Sequence, residues 1–294
     1  MDRNLNPYIL GISGRQGELL EIALTYRFQG LTLDIREVAD KAKALGMEAA
    51  TKYLRSARIK VGGFELPVRF AGPEADFKAD LAGLKPVLDA ATALAANRCF
   101  VTIQPTSDEL PFHENFKFLA VRLQGVAAVL AERGIKLGLC LLAAESHRNN
   151  GGYQFVCQAD PLLMFIQTIG ADNVGLWLDV WNWHVGDGTP EKLRAFRGEQ
   201  IIAVELSDIP SGIDLAAITE EQRHLPGEGG QIDSAAYLAT LQELGFDGPV
   251  SAAVHPAAHK GSKREALVKQ AATTLDTLWP GAGIGGGKTL AGAK

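Results

Sequence analysis

The sequence predicts a closed (β/α)8 barrel, the TIM-barrel class, on three observations. Strand-like and helix-like segments alternate eight times along one chain with no long linker. The length of 294 residues suits such a barrel, which typically takes about 250. The glycine pattern of a dinucleotide fold is missing after the first apolar run, where GISGRQGE stands in place of GxGxxG. An open doubly wound sheet also usually stops at about five or six strands.

The elements follow in order. Tyr8–Ser13 (YILGIS) reads as the first strand, and 17–27 as a helix with Leu19, Leu20, Ala23 and Leu24 on one stripe. Residues 31–35 read as the second strand, and 38–45 as a helix stopped by Gly46. Residues 59–66 hold a third strand interrupted by Gly62 and Gly63. Residues 74–96 read as one long helix with a kink at Pro86. Residues 99–104 (CFVTIQ) form the fourth strand and 116–132 the next helix. The run 135–144 is the fifth strand with Glu145 at its end, 160–169 a helix, and 173–178 the sixth strand, ending at Asp179. Thr189-Pro190 opens a short helix, 201–206 (IIAVEL) is the seventh strand, and 232–244 a helix. Residues 249–254 are the eighth strand and 263–278 the last helix. One barrel domain over 1–279 is expected, followed by a flexible tail over 280–294. The tail's Gly287-Lys288-Thr289 does not make a phosphate loop, because Ala282 stands where glycine is required. No nucleotide cofactor is expected.

Composition narrows the class. With 47% hydrophobic and 21% charged residues the chain reads as an ordinary globular protein, and a net charge of -5 offers nucleic acid no basic surface. No apolar run reaches the roughly 18 residues that span a bilayer, and MDRNLNPYIL is not a secretory leader. Cys99, Cys140 and Cys157 lack metal-binding spacing. A cytoplasmic protein with no membrane partner is expected.

In a barrel, chemistry sits at the carboxyl ends of the strands. Those ends carry Glu145, Asp179, the stretch Glu205 to Asp208, and His255. Glu205 is a charge inside IIAVEL, where a carboxylate is costly unless it is paired or holds a metal. Glu145, Asp179, Glu205 and His255 are therefore candidate ligands of Mn, Mg, Zn or Fe. Glu145, His147, Glu205 and His255 are candidate catalytic groups. Alternatively, Glu205 pairs with an internal Lys or Arg, while Asp179 and Glu145 cap their loops. Trp181, Asn182, His184, Asp208, Arg223 and Glu228 are candidate contacts for a small sugar-like substrate, with Trp177 and Trp183 available for stacking or packing. Arg15, Gln104 and Asp108 are placed on the opposite rim.

Glu145, NVGLWLDVWNWH, IIAVELSD, RHLPGEGGQID and LGFDGPVSAAV resemble the sugar isomerase/epimerase family with a xylose isomerase-like barrel. That family includes ketose 3-epimerases, hydroxypyruvate isomerases and inosose dehydratases. The resemblance implies a divalent metal held by one residue from each of the last four strands. Glu145 and Asp179 match the first two. The third, typically histidine, falls on Glu205, and the fourth, typically glutamate, falls on Ala253. The histidine usual three residues after the aspartate falls on Asn182. His255, on the face of Ala253 and nearer the rim, is a substitute ligand. The resemblance implies isomerase or epimerase chemistry by metal-assisted proton transfer, and a homodimer is one assembly it allows. A keto-sugar lyase or dehydratase with an altered or absent metal site, or a non-catalytic sugar-binding or partner-binding barrel, are the alternatives.

Overall fold

A computed structural model describes residues 1–279. Eight parallel strands close into a barrel: β1 (Asp2–Leu5), β2 (Gly30–Thr32), β3 (Lys60–Glu65), β4 (Arg98–Ile103), β5 (Lys136–Leu141), β6 (Val174–Asp179), β7 (Ile201–Leu206) and β8 (Pro249–Ala252). Each pairs in parallel with its neighbours, and β8 closes on β1 through Asp2–Pro249 and Arg3–Val250. Helices pack outside the sheet. Their apolar faces meet the outward residues of the strands in one continuous core that runs from Leu5 to Leu275. The sequence-predicted tail over 280–294 lies outside the described residues. No helix among the described residues is long and apolar enough to cross a membrane.

The first strand is DRNL, not YILGIS, which forms turns instead. Hydrophobic pattern misses DRNL because three of its four residues are polar for structural reasons. Arg3 reaches Asp276 and the carbonyl of Arg27 on the helix side, while Asn4 points into the barrel. Asn4 Nδ2 donates to Thr32 Oγ1 at 3.0 Å and to Ser251 Oγ at 3.0 Å, tying three strands across the interior. The glycines of β3 now have a cause. A Cβ at Gly62 would lie 2.1 Å from Asn4 Oδ1, so the buried amide needs a neighbour without a side chain.

Two helical readings also change. Residues 74–96 form two helices, Glu74–Ala82 and Lys85–Ala93, because Pro86 sits in the first turn of the second rather than kinking one long rod. A helix over Met47–Ser56 follows Gly46 directly. The fifth strand ends at Leu141, and Glu145 starts a short helix, Glu145–Arg148, so that carboxylate does not end a barrel strand. After β4, Thr106–Ser107 pair antiparallel with Tyr153–Gln154, joining two loops beside the mouth.

Because of the Asn4 contact, Gly62→Ala is expected to destabilise the fold by about 1–3 kcal/mol, the usual cost of overpacking. Urea unfolding of Gly62→Ala and of Gly62→Ala/Asn4→Ala checks it: the second change should recover part of the loss. No recovery would place the strain elsewhere.

Candidate active site

The mouth at the carboxyl ends of the strands holds a cavity of about 230 Å³, lined by Asp179, Arg223, Glu220, His255, Asn182 and Trp177 among others. That is below the roughly 300–1,000 Å³ of drug-sized pockets and suits a small ligand. Asp179 is both the last residue of β6 and the N-cap of the helix Val180–Val185. One carboxylate oxygen accepts the backbone N–H of Asn182 at 3.1 Å, and the other accepts the Asn182 side-chain amide at 2.9 Å. The amide oxygen of Asn182 in turn accepts the N–H of Ala143 at 2.9 Å, locking β6 to the segment after β5.

The strongest partner of Asp179 is Arg223. Its Nη1 donates to Asp179 Oδ2 at 2.6 Å, with both side chains only 8% exposed. Its Nη2 lies 3.4 Å from Glu220, and its guanidinium carbon sits 4.9 Å from the centroid of the Trp181 ring. Burial works against the arginine's charge, but the Asp179 and Glu220 carboxylates outweigh it and raise the guanidinium above its ordinary range. Glu220 is also 3.4 Å from His147.

Glu205 lies in register with Asp179 on the adjacent strand and is 1% exposed. Its Oε1 accepts from Asn6 Nδ2 and from Trp177 Nε1, each at 3.2 Å, and its Oε2 has no hydrogen-bond partner among the described residues. Burial pushes this carboxyl up to about 8 despite those two hydrogen bonds, and the nearby Asp179 charge adds to the rise. The expected pairing of Glu205 with a Lys or Arg does not occur; the arginine goes to Asp179 instead.

The four-residue metal set expected from the sequence is not assembled. Among the described residues no group of three or more His, Cys, Asp or Glu side chains is placed to hold a metal ion. Each residue shows a reason. Asp179 faces a guanidinium, Glu205 has one oxygen taken by Asn6 and Trp177, and Glu145 accepts the side-chain amide of Asn149 on its own short helix. His255 Nδ1 accepts the N–H of Ala257 at 3.2 Å, which leaves the proton on Nε2 and makes that nitrogen a donor rather than a ligand. The position of the usual last-strand glutamate is Ala253, fully buried. The residues present do not fit the metal.

Other candidates fall in different places. Trp181, expected to face a sugar, is 0% exposed and lies under Arg223. Asp208, expected to contact substrate, spends both oxygens on the N–H groups of Ile209, Gly229, Gly230, Gln231 and Ile232, and so shapes the loop after β7. Glu228 is engaged by Gln270 and by His259 at 3.3 Å, off the cavity lining. His184 is half-buried, and desolvation lowers its basicity below the ordinary histidine range. Neither it nor His147 lines the cavity, and Glu205 sits behind the lining, reached through Trp177. Residues the sequence did not single out include Asn6, Tyr8, Thr102 and Glu220. Asn6 and Tyr8 were hidden by the misplaced first strand. Thr102 was legible as the polar member of CFVTIQ.

A family model described as xylose isomerase-like TIM barrel matches residues 20–278, and the chain belongs to that family. It is 32% identical over 114 residues to the inosose isomerase of Bacillus subtilis (strain 168), a stretch covering 38% of this chain and 40% of that protein. It is 31% identical over 136 residues to a 3-dehydroshikimate dehydratase of Pseudomonas aeruginosa, covering 45% of this chain and 20% of that one. The matches thus span less than half of these curated relatives. Among solved structures, a xylose isomerase domain protein from Alicyclobacillus acidocaldarius superposes with a TM-score of 0.83 at 22% identity, over 95% of this chain and 98% of the other. An IOLI protein with a bound zinc atom superposes at 0.75 with 20% identity, over 95% and 96%. These likenesses establish the barrel.

The state of Glu205 sets a pH dependence. Below the ordinary carboxyl value of 4.5 both folded and unfolded chains hold the proton; between there and about 8 only the folded chain does. The resulting stability is present at low pH and is lost as pH rises through that window, at up to about 1.4 kcal/mol per unit. Glu205→Gln should flatten this slope in urea unfolding between about pH 5 and 8.5. Equal slopes for the two proteins would remove Glu205 as the cause.

Proposed function

We propose that the mouth binds a small, uncharged keto-sugar or keto-polyol and eliminates water from it without a metal ion. One observation carries this reading: the guanidinium of Arg223, paired with Asp179, lines the cavity, and Glu205 lies buried just behind that lining, in register with Asp179 on the next strand and hydrogen-bonded by the cavity-lining Trp177. The charged groups lining the cavity are Arg223 and the two carboxylates it faces, Asp179 and Glu220, which leaves no free cation among the described residues there for an anionic ligand and suits one that brings hydroxyls.

The chemistry follows from having one proton carrier. Glu205, as carboxylate, takes a proton from the carbon next to the ketone; the electron pair moves onto the carbonyl oxygen as an enolate. Arg223 keeps N–H groups beyond the two committed to Asp179 and Glu220, and these hold that oxygen as charge develops. When the enolate collapses, the bond to the β-hydroxyl breaks and Glu205 returns its proton to the departing oxygen, releasing water and an enone. A carboxyl value near 8 makes Glu205 a stronger base than an ordinary glutamate, poised near working pH. His255 Nε2–H and Asn182 line the same cavity and position the hydroxyls. Two-carboxylate epimerisation lacks its second carrier here, because Ala253 occupies that position. The stretch shared with the dehydratase supports elimination. The stretch shared with inosose isomerase supports a second reading, in which Glu205 returns the proton to a neighbouring carbon instead.

The test is a panel of uncharged keto-polyols incubated with chelator-treated protein, following enone absorbance and solvent-deuterium incorporation. Elimination should proceed unchanged after chelation and fall by at least about 10²-fold in Glu205→Gln, the usual contribution of a general base. Deuterated isomer without enone would select the second reading. Activity that needs added metal would overturn both.

A further inference from the structure

A second cavity, of about 250 Å³, opens between the loop after β3 and the loop after β4 and shares no lining residue with the mouth. Its walls are Phe70, Phe118 and Leu119, and its polar groups include Gln104, Thr106 and Asn115. Asn115, in the first turns of the helix Phe112–Ala131, is only 6% exposed and lines this cavity. A polar side chain that is mostly buried and lines a cavity gives a ligand there a hydrogen-bonding group with little competition from bulk water. The walls are built rather than incidental. Arg122 stacks 4.0 Å from the Phe118 ring and donates to the carbonyl of Phe70 at 3.0 Å, fixing the two aromatic side chains' segments to each other. Asp108 and Glu109 stand at the rim, and among the described residues no lysine or arginine lines the space.

We propose that this cavity is a second, non-catalytic binding site for an uncharged polyhydroxylated ligand, a monosaccharide ring or a linear polyol. The Asn115 amide offers both a donor and acceptors, as does Gln104, and hydroxyl groups complement both. Aromatic and aliphatic walls take up the C–H faces of such a ligand. The rim carboxylates accept hydroxyl protons and repel anions, so a phosphorylated or carboxylated sugar is disfavoured. The space exceeds by several-fold the roughly 30 Å³ share of one water molecule, so an organic ligand is accommodated.

The experiment is a titration of the full chain with D-glucose, and separately with D-glucose 6-phosphate, followed by ¹H–¹⁵N NMR. Saturable shifts should appear over residues 104–119 with D-glucose and be weaker with the phosphate ester. They should persist in Arg223→Ala, which disables the mouth, and weaken at least about tenfold in Asn115→Leu, consistent with loss of a buried hydrogen-bonding partner. If Asn115→Leu does not fold, Gln104→Ala at the exposed rim should lower the affinity in its place. Shifts confined to the mouth, no saturable shift over 104–119, or undiminished binding in a folded Asn115→Leu would overturn the second site while leaving the proposed reaction at the mouth untouched.

Discussion

The ion pair between Asp179 and Arg223 is the constraint on which the rest of the mouth depends. Two charges with little solvent must be held in good geometry or they destabilise the fold, and removing one partner of such a pair typically costs about 3–5 kcal/mol. Here the geometry is supplied from several directions. Asn182 braces Asp179 from within the helix that Asp179 caps, and the Trp181 ring lies beside the guanidinium. The backbone carbonyl of Arg223 accepts the N–H of His255 at 3.0 Å, bringing the segment after β8 into the same assembly. One arginine from the loop after β7 therefore joins the ends of β6 and β8.

A polar interior gives that assembly its chemistry. Asn4, Thr32 and Ser251 form a hydrogen-bonded layer inside the barrel, and Asn6 and Trp177 hold one oxygen of Glu205 nearby. Placing Glu205 beside Asp179 without a cation of its own forces the two carboxyls into different states. Arg223 keeps Asp179 matched with positive charge, while desolvation favours the proton on Glu205. An acid and an ion pair side by side replace the four-ligand arrangement implied by the sequence resemblance.

The barrel was legible because seven of its strands are apolar runs between clear helices, and 201–206 matches β7 residue for residue. The first strand was not legible, because Arg3 and Asn4 satisfy partners far along the chain and hydrophobic pattern cannot report them. Within the site, Asp179 and His255 were singled out at strand ends and Asn182 and Arg223 in the segments that follow strands, and all four line one cavity. Glu205 was marked as a costly buried charge, and burial does push its carboxyl up, with Asn6 and Trp177 as its hydrogen-bond donors. What sequence could not reveal is which partner each charge selects. Asp208 and Glu228 look like site residues until backbone N–H groups and Gln270 claim them. Glu145 is displaced because its strand stops at Leu141.

The most direct measurement of the central claim is a crystal structure of the protein soaked in Mn²⁺ or Zn²⁺, with anomalous data. With Arg223 serving as the cation at the mouth, its guanidinium remains on Asp179 and no anomalous peak stands within about 2.0–2.6 Å of the Asp179 or Glu205 oxygens. A metal peak at that distance from both carboxylates, with Arg223 displaced, would contradict the account.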